Sequence, residues 1–140
     1  MSENDVTSGE GYAVANLDDL GDGPGFRKIR STLGVTAFGV NAIVLPPSYS
    51  TGSHFHDEQE ELYFLHRGQI EIEFDDGDPH RLEPGGAARV DPATLRRIRN
   101  VGEDDAVYVV IGGKGGYVGR DGQAPEGETT RFGPSGPPGA

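Results

Sequence analysis

Short apolar runs, each ended by glycine, proline or another turn residue at close and fairly regular intervals, constrain this chain more than any other feature. They are Phe26 to Arg30, Val35 to Leu45, Leu62 to His66, Gln69 to Asp75, Ala87 to Val90, Leu95 to Arg99 and Ala106 to Ile111. Strands of this length and spacing predict a sandwich or barrel. Long helices find no room, because 23 glycines and 10 prolines interrupt 140 residues and both residue types break helices. Within Gln69-Ile70-Glu71-Ile72-Glu73-Phe74 the alternation is strict, which sends Ile70, Ile72 and Phe74 to one face and the charges to the other. Leu62 to Leu65 and Val107 to Ile111 are instead apolar on both faces, so their outer face needs a cover. A homodimer interface is the expected cover, with the terminal segments of the same chain as the alternative.

The length suits one domain. Residues 1–11 are polar and acidic and are expected to be flexible, and residues 12–118 form the barrel domain, with a first strand in Tyr12 to Leu17 and a turn-rich loop in Asp18 to Gly25. Residues 119–140 hold six glycines and four prolines, which predicts a loose tail with Phe132 as the candidate for local docking.

Composition excludes several functions. There is no cysteine, so any metal must be held by nitrogen and oxygen donors. A net charge of −11, with Lys28 and Lys114 the only lysines, repels phosphates and anionic membrane surfaces, so neither nucleic acid nor a membrane is an expected partner. No apolar run is long enough for a signal peptide or a membrane span, and a cytoplasmic location is the expectation. The acidity is compatible with a salt-rich cytoplasm or with a GC-rich genome. No serine sits in a strand-to-helix turn suited to a Ser-His-Asp nucleophile.

The chemistry concentrates in Gly52-Ser53-His54-Phe55-His56. Two histidines spaced by two point to the same face of an extended segment. After Asp57-Glu58-Gln59-Glu60, read as a solvated turn, the next strand begins with Glu61 and could return a carboxylate beside them. Two imidazoles and one carboxylate suit iron, manganese, nickel or zinc as the divalent ion, and leave coordination positions open. Tyr63 shares the inward face of Glu61 by parity, where it would line the pocket or pack the interior.

Gly52, His54, His56, Glu61 and Gly68, spaced as His-x-His, four residues, Glu, six residues, Gly, resemble the first signature motif of the cupin superfamily. Pro84-Gly85-Gly86, followed by Val90, Pro92 and Asn100, is similar to part of the second. The resemblance spans about Leu33 to Gly112 and implies an all-β fold, a double-stranded β-helix or jelly-roll barrel. It also implies a metal on His54, His56 and Glu61. Cupins include dioxygenases, isomerases, decarboxylases and non-catalytic binding domains, so the resemblance leaves open whether this chain is an enzyme.

The departure from the pattern is Arg96, which stands where cupins usually carry a fourth ligand, a histidine. Arginine has no lone pair for a metal. In one reading a three-ligand metal remains and Arg96 anchors a small anionic molecule. In the other no metal binds, and Arg96 pairs with Glu61 in a module that binds or senses a small molecule. A dimer with a vestigial pocket is a third possibility. His66 and His80 are poor substitutes for the missing ligand, His66 by parity and His80 by its place in a loop. Arg97 and Arg99 are expected at the surface beside carboxylates. Gly112-Gly113-Lys114-Gly115-Gly116 lacks the spacing of a phosphate loop and predicts a flexible strand exit.

Overall fold

The computed structural model describes residues 6–75, 77–124 and 133–134. The chain order is β1 (Thr7–Gly9), β2 (Tyr12–Val14), a 3-10 turn (Leu17–Asp19), β3 (Gly25–Arg27), α1 (Ile29–Leu33), β4 (Gly39–Leu45), β5 (Tyr49–Ser50), β6 (Phe55–His56), β7 (Glu60–Arg67), β8 (Ile70–Phe74), β9 (His80–Leu82), β10 (Ala87–Val90), β11 (Arg96–Asn100), β12 (Ala106–Gly113), β13 (Gly122–Gln123) and β14 (Gly133–Pro134).

Among the described residues two five-stranded antiparallel sheets face each other. One has the order β10-β7-β12-β4-β3 and the other β14-β5-β11-β8-β9. Each sheet takes strands from widely separated parts of the chain, the topology of a double-stranded β-helix. Parity decides what enters the space between them. Ile43, Leu45, Tyr63, Leu65 and Tyr108 come from the first sheet and Ile70, Ile72 and Ile98 from the second, all buried in one cluster. Burying each of the larger aliphatic side chains contributes about 1.5–3 kcal/mol.

Two details fix the register around that core. Gly68 turns β7 into β8 at φ +88°, and a Cβ there would lie 2.7 Å from the Cα of Ala106 and 2.8 Å from the carbonyl oxygen of Asp105. Only glycine fits both demands. The buried amide of Asn100 donates to the carbonyls of Leu45, at 2.7 Å, and Asp104, at 2.9 Å, and accepts from the Gly102 N–H at 2.8 Å. It thereby ties the exit of β11 to the end of β4.

Several segments differ from the sequence reading. The run Phe26 to Arg30 ends as strand at Arg27 and continues into α1, which stops at Gly34 with φ +78°, a left-handed cap that glycine favours. His80, read as loop, opens β9, although its side chain is exposed. Thr7–Gly9, inside the segment expected to be flexible, pairs with Tyr12–Val14 as a hairpin. The C-terminal segment is not loose throughout, since β13 pairs with β6 and β14 with β5. Phe132 lies outside the described residues. The outer face of the first sheet is only partly covered: Val107 is buried, while Leu62 and Phe64 remain 39% and 40% exposed. No helix among the described residues is long and apolar enough to cross a membrane.

Candidate metal centre

Backbone pairing places the first two candidate ligands. His54 N donates to the Arg96 carbonyl at 3.0 Å and Arg96 N to the His54 carbonyl at 2.9 Å, and His56 N donates to the Pro92 carbonyl at 2.7 Å. The His-x-His segment is therefore extended along the entry to β11, and the two rings lie edge to face with centroids 5.3 Å apart. Glu61, the second residue of β7, is turned inward and buried while Glu60 is exposed. One donor atom from each of His54, His56 and Glu61 lies within 4.8 Å of the others.

Each imidazole has its proton fixed by a partner that can only accept. His54 Nδ1 lies 3.3 Å from the Gly52 carbonyl oxygen, and His56 Nδ1 lies 2.7 Å from Asp121 Oδ1. The Gln59 side-chain nitrogen, 3.4 Å from His56 Nδ1, donates to Asp121 Oδ1 at 2.6 Å, so each ring when neutral donates from Nδ1 and keeps its Nε2 lone pair for a metal. His56 Nε2 is buried without a hydrogen-bond partner, yet it sits 3.2 Å from Glu61 Oε1. Two donor atoms bound to one ion about 2.1 Å away are themselves about 3.0–3.5 Å apart, so this pair already has the spacing of shared ligation.

The supporting residues are specific. The Tyr63 hydroxyl donates to Glu61 Oε1 at 2.5 Å, so the ring helps line the cavity while the hydroxyl orients the carboxylate. Asp121 lies in the segment read as a loose tail, and β13 carries it against β6. Beyond His56 it accepts from the backbone N–H groups of Glu58, at 2.7 Å, and Gln59, at 3.1 Å, and from Gln59 Nε2 at 2.6 Å. A single carboxylate thus orders both the ligand histidine and the turn that leads to β7. Sequence reasoning missed it because a lone aspartate among glycines carries no periodic or motif signal.

Electrostatics follow from these contacts. Burial lowers the His54 pKa against the opposing Gly52 carbonyl. For His56 burial also acts downward, but the Glu61 and Asp121 carboxylates more than offset it and the pKa is raised. Burial pushes Glu61 up, and His56, Tyr63 and Arg96 together hold it below the usual carboxylate range. Burial and the Glu61 charge raise Tyr63 well above the ordinary phenol value, so it remains a donor.

Arg96 does not stand where either reading of the sequence needs it. Parity does turn it inward, and it is fully buried. It is absent from the wall of the cavity above the histidines, and it forms no ion pair with Glu61. Its Nη2 donates to the Asp91 carbonyl at 2.9 Å, while Nε and Nη1 are buried without partners. His66 is exposed, so neither remaining histidine joins the cluster. Arg99 does meet Glu71 at 2.9 Å, and Arg97 meets the Ser50 hydroxyl at 3.2 Å.

A family model described as a cupin domain matches residues 42–112. The SchB protein of Streptomyces halstedii is 29% identical over 79 residues, 56% of each chain, so this chain spans little more than half the length of that relative. An uncharacterised protein with a double-stranded β-helix domain from Klebsiella pneumoniae superposes with a TM-score of 0.68 at 17% identity, covering 81% of this chain and 91% of that one. The DMSP lyase DddQ of Ruegeria pomeroyi does so with a TM-score of 0.56 at 21% identity, covering 65% of this chain and 45% of the lyase. At such identities the superpositions speak for the fold alone. With the motif residues in these positions and the family match over the barrel, the chain belongs to the cupin family.

Proposed function

We propose that this cupin holds one divalent metal ion through His54, His56 and Glu61, and that the cavity above them binds or transforms a small molecule. The observation that carries the proposal is His56 Nε2, a buried nitrogen 3.2 Å from a carboxylate oxygen and without a hydrogen-bond partner. With Nδ1 donating to Asp121, a neutral His56 presents its Nε2 lone pair to Glu61. The two facing lone pairs are compensated either by a proton, which the raised His56 pKa favours in the metal-free chain, or by a metal ion that displaces it. The donor set suits iron, manganese, nickel or zinc.

Three protein ligands leave positions open, as in metal sites that act on a substrate rather than in closed structural ones. An ion held there would polarise an oxygen of the bound molecule as a Lewis acid. Asp121 and Gly52 hold the imidazole protons at Nδ1, Tyr63 orients Glu61 from behind, and the packed barrel excludes water from the inner side. The metal-free alternative draws its support from a Glu61–Arg96 pair, and that pair is not formed. The exposed Leu62 and Phe64 on the outer sheet support homodimerisation through this face.

The test is metal content. Wild-type protein loaded with iron, manganese, nickel or zinc and then desalted should retain about one ion per chain, and His54→Ala/His56→Ala should retain none. Absence of metal from both proteins with every one of these ions would sink the proposal.

A further inference from the structure

The cavity above the histidines has a volume of about 860 Å³, within the range of sites that enclose a sizeable organic molecule. Its charges run against the composition of the chain. Lys28, Arg30 and Arg120 all line it in a protein of net charge −11. Elsewhere Arg81, Arg89 and Arg99 each face a carboxylate. Among the described residues no carboxylate forms an ion pair with Lys28, Arg30 or Arg120, and the Arg30 guanidinium lies 4.0 Å over the Tyr117 ring. The two carboxylates in the wall are both committed, Asp121 to His56 and the Glu58–Gln59 turn and Glu61 to Tyr63 and His56.

The wall also carries the apolar side chains of Phe26, Ile43 and Val110. Further in, Tyr108 also lines the cavity. It is fully buried, and its hydroxyl has no hydrogen-bond partner. A buried donor without an acceptor carries a desolvation cost that a ligand oxygen would remove.

We propose that the cavity takes an organic carboxylate whose anionic end is bound by Lys28, Arg30 and Arg120, whose apolar body lies along Phe26, Ile43 and Val110, and whose second oxygen function accepts from Tyr108. Cations without an ion-pair partner at the mouth of the cavity, Arg30 half-buried and Lys28 and Arg120 exposed, favour an anion over a neutral isostere, and guanidinium groups match a carboxylate with two parallel hydrogen bonds. This assigns the anion contact to the cationic wall rather than to Arg96, which is sealed inside the barrel. It rests on the reading of the cavity as the ligand site, and not on the metal.

Binding of phenylacetate, 4-hydroxyphenylacetate and hexanoate, each against its neutral amide, tests the proposal by calorimetry. The titrations are run on metal-loaded and chelator-treated wild type, on Lys28→Ala/Arg30→Ala/Arg120→Ala and on Tyr108→Phe, with folding checked by circular dichroism. The expected result is a preference of about tenfold or more for carboxylate over amide in both wild-type forms. That preference should disappear in the triple variant, and Tyr108→Phe should weaken 4-hydroxyphenylacetate but not phenylacetate. Equal binding of acids and amides, no binding of any probe, or a preference that survives the triple variant overturns it. Selectivity that persists in protein unable to retain metal leaves this inference standing while the metal reading falls. Retained metal with no selectivity leaves the metal reading standing while this inference falls.

Discussion

His56 Nδ1 and Asp121 Oδ1 lie 2.7 Å apart although 65 positions separate them in sequence. The contact fixes the tautomer that aims Nε2 at Glu61, and so a residue of the C-terminal segment prepares a ligand supplied by the centre of the chain. Carboxylates in this position raise ligand basicity and hold ring orientation, and their loss costs about 10–100-fold in metal affinity. Asp121→Asn should therefore weaken zinc or manganese binding by that factor in a chelator-competition titration. Unchanged affinity would mean that the contact does not orient His56.

Affinity should also depend on pH in a direction set by His56. Its pKa is raised in the metal-free chain, because the Glu61 and Asp121 carboxylates outweigh the opposing effect of burial. A proton on Nε2 excludes the metal, so affinity should begin to fall at a pH above the ordinary histidine value of 6.5, and then by about tenfold per pH unit for one displaced proton. His54, whose pKa burial lowers, stays neutral at that onset. The sign for metal-free stability is the reverse: the contribution of His56 is complete below its unfolded pKa and is lost as pH rises through the raised folded value. Glu61→Gln should shrink the stability effect, measured by urea unfolding at pH 5.5 and 8.

Arg96→His tests the missing ligand. The substitution removes a buried cation with two unpartnered nitrogens and restores an imidazole where the family motif carries one. Metal affinity should rise by at least about tenfold, since the Arg96 charge, which acts against positive charge on His54 and His56 from inside the barrel, is removed and an imidazole at the family's ligand position would supply a fourth donor. A decrease would assign Arg96 a supporting role that its contacts do not reveal.

Gly68→Ala should destabilise the metal-free fold by about 2–4 kcal/mol in urea unfolding, combining the strain of a left-handed alanine with the close approach of its Cβ to Ala106 and Asp105. A change below about 0.5 kcal/mol, the range of ordinary surface substitutions, would show that the turn can relax.

The legible part of the fold came from periodicity, and the site from spacing. Alternation in Gln69 to Phe74 set the inward face of β8 and the spacing of His54 and His56 set their common face, because short-range geometry fixes where such side chains point. The choice of Glu61 over Glu60, across a turn without fixed parity, rested instead on the resemblance to the cupin motif. What escaped depends on long-range packing. Asp121 acts only once β13 pairs with β6, and α1 interrupts a run that reads as strand because tertiary context overrides the β preference of Phe26 to Arg30. Arg96 lies between these cases: parity turned it inward, but which acceptor it would reach depends on how the loop at Asp91 closes over it, and no local pattern encodes that.

The central claim is a metal ion shared by His54, His56 and Glu61, and a crystal of metal-loaded protein measured at that metal's absorption edge tests it most directly. The expected result is one anomalous peak per chain about 2.0–2.2 Å from His54 Nε2, His56 Nε2 and a Glu61 carboxylate oxygen. No peak at this position, or a peak only at His66 or His80, would contradict the account.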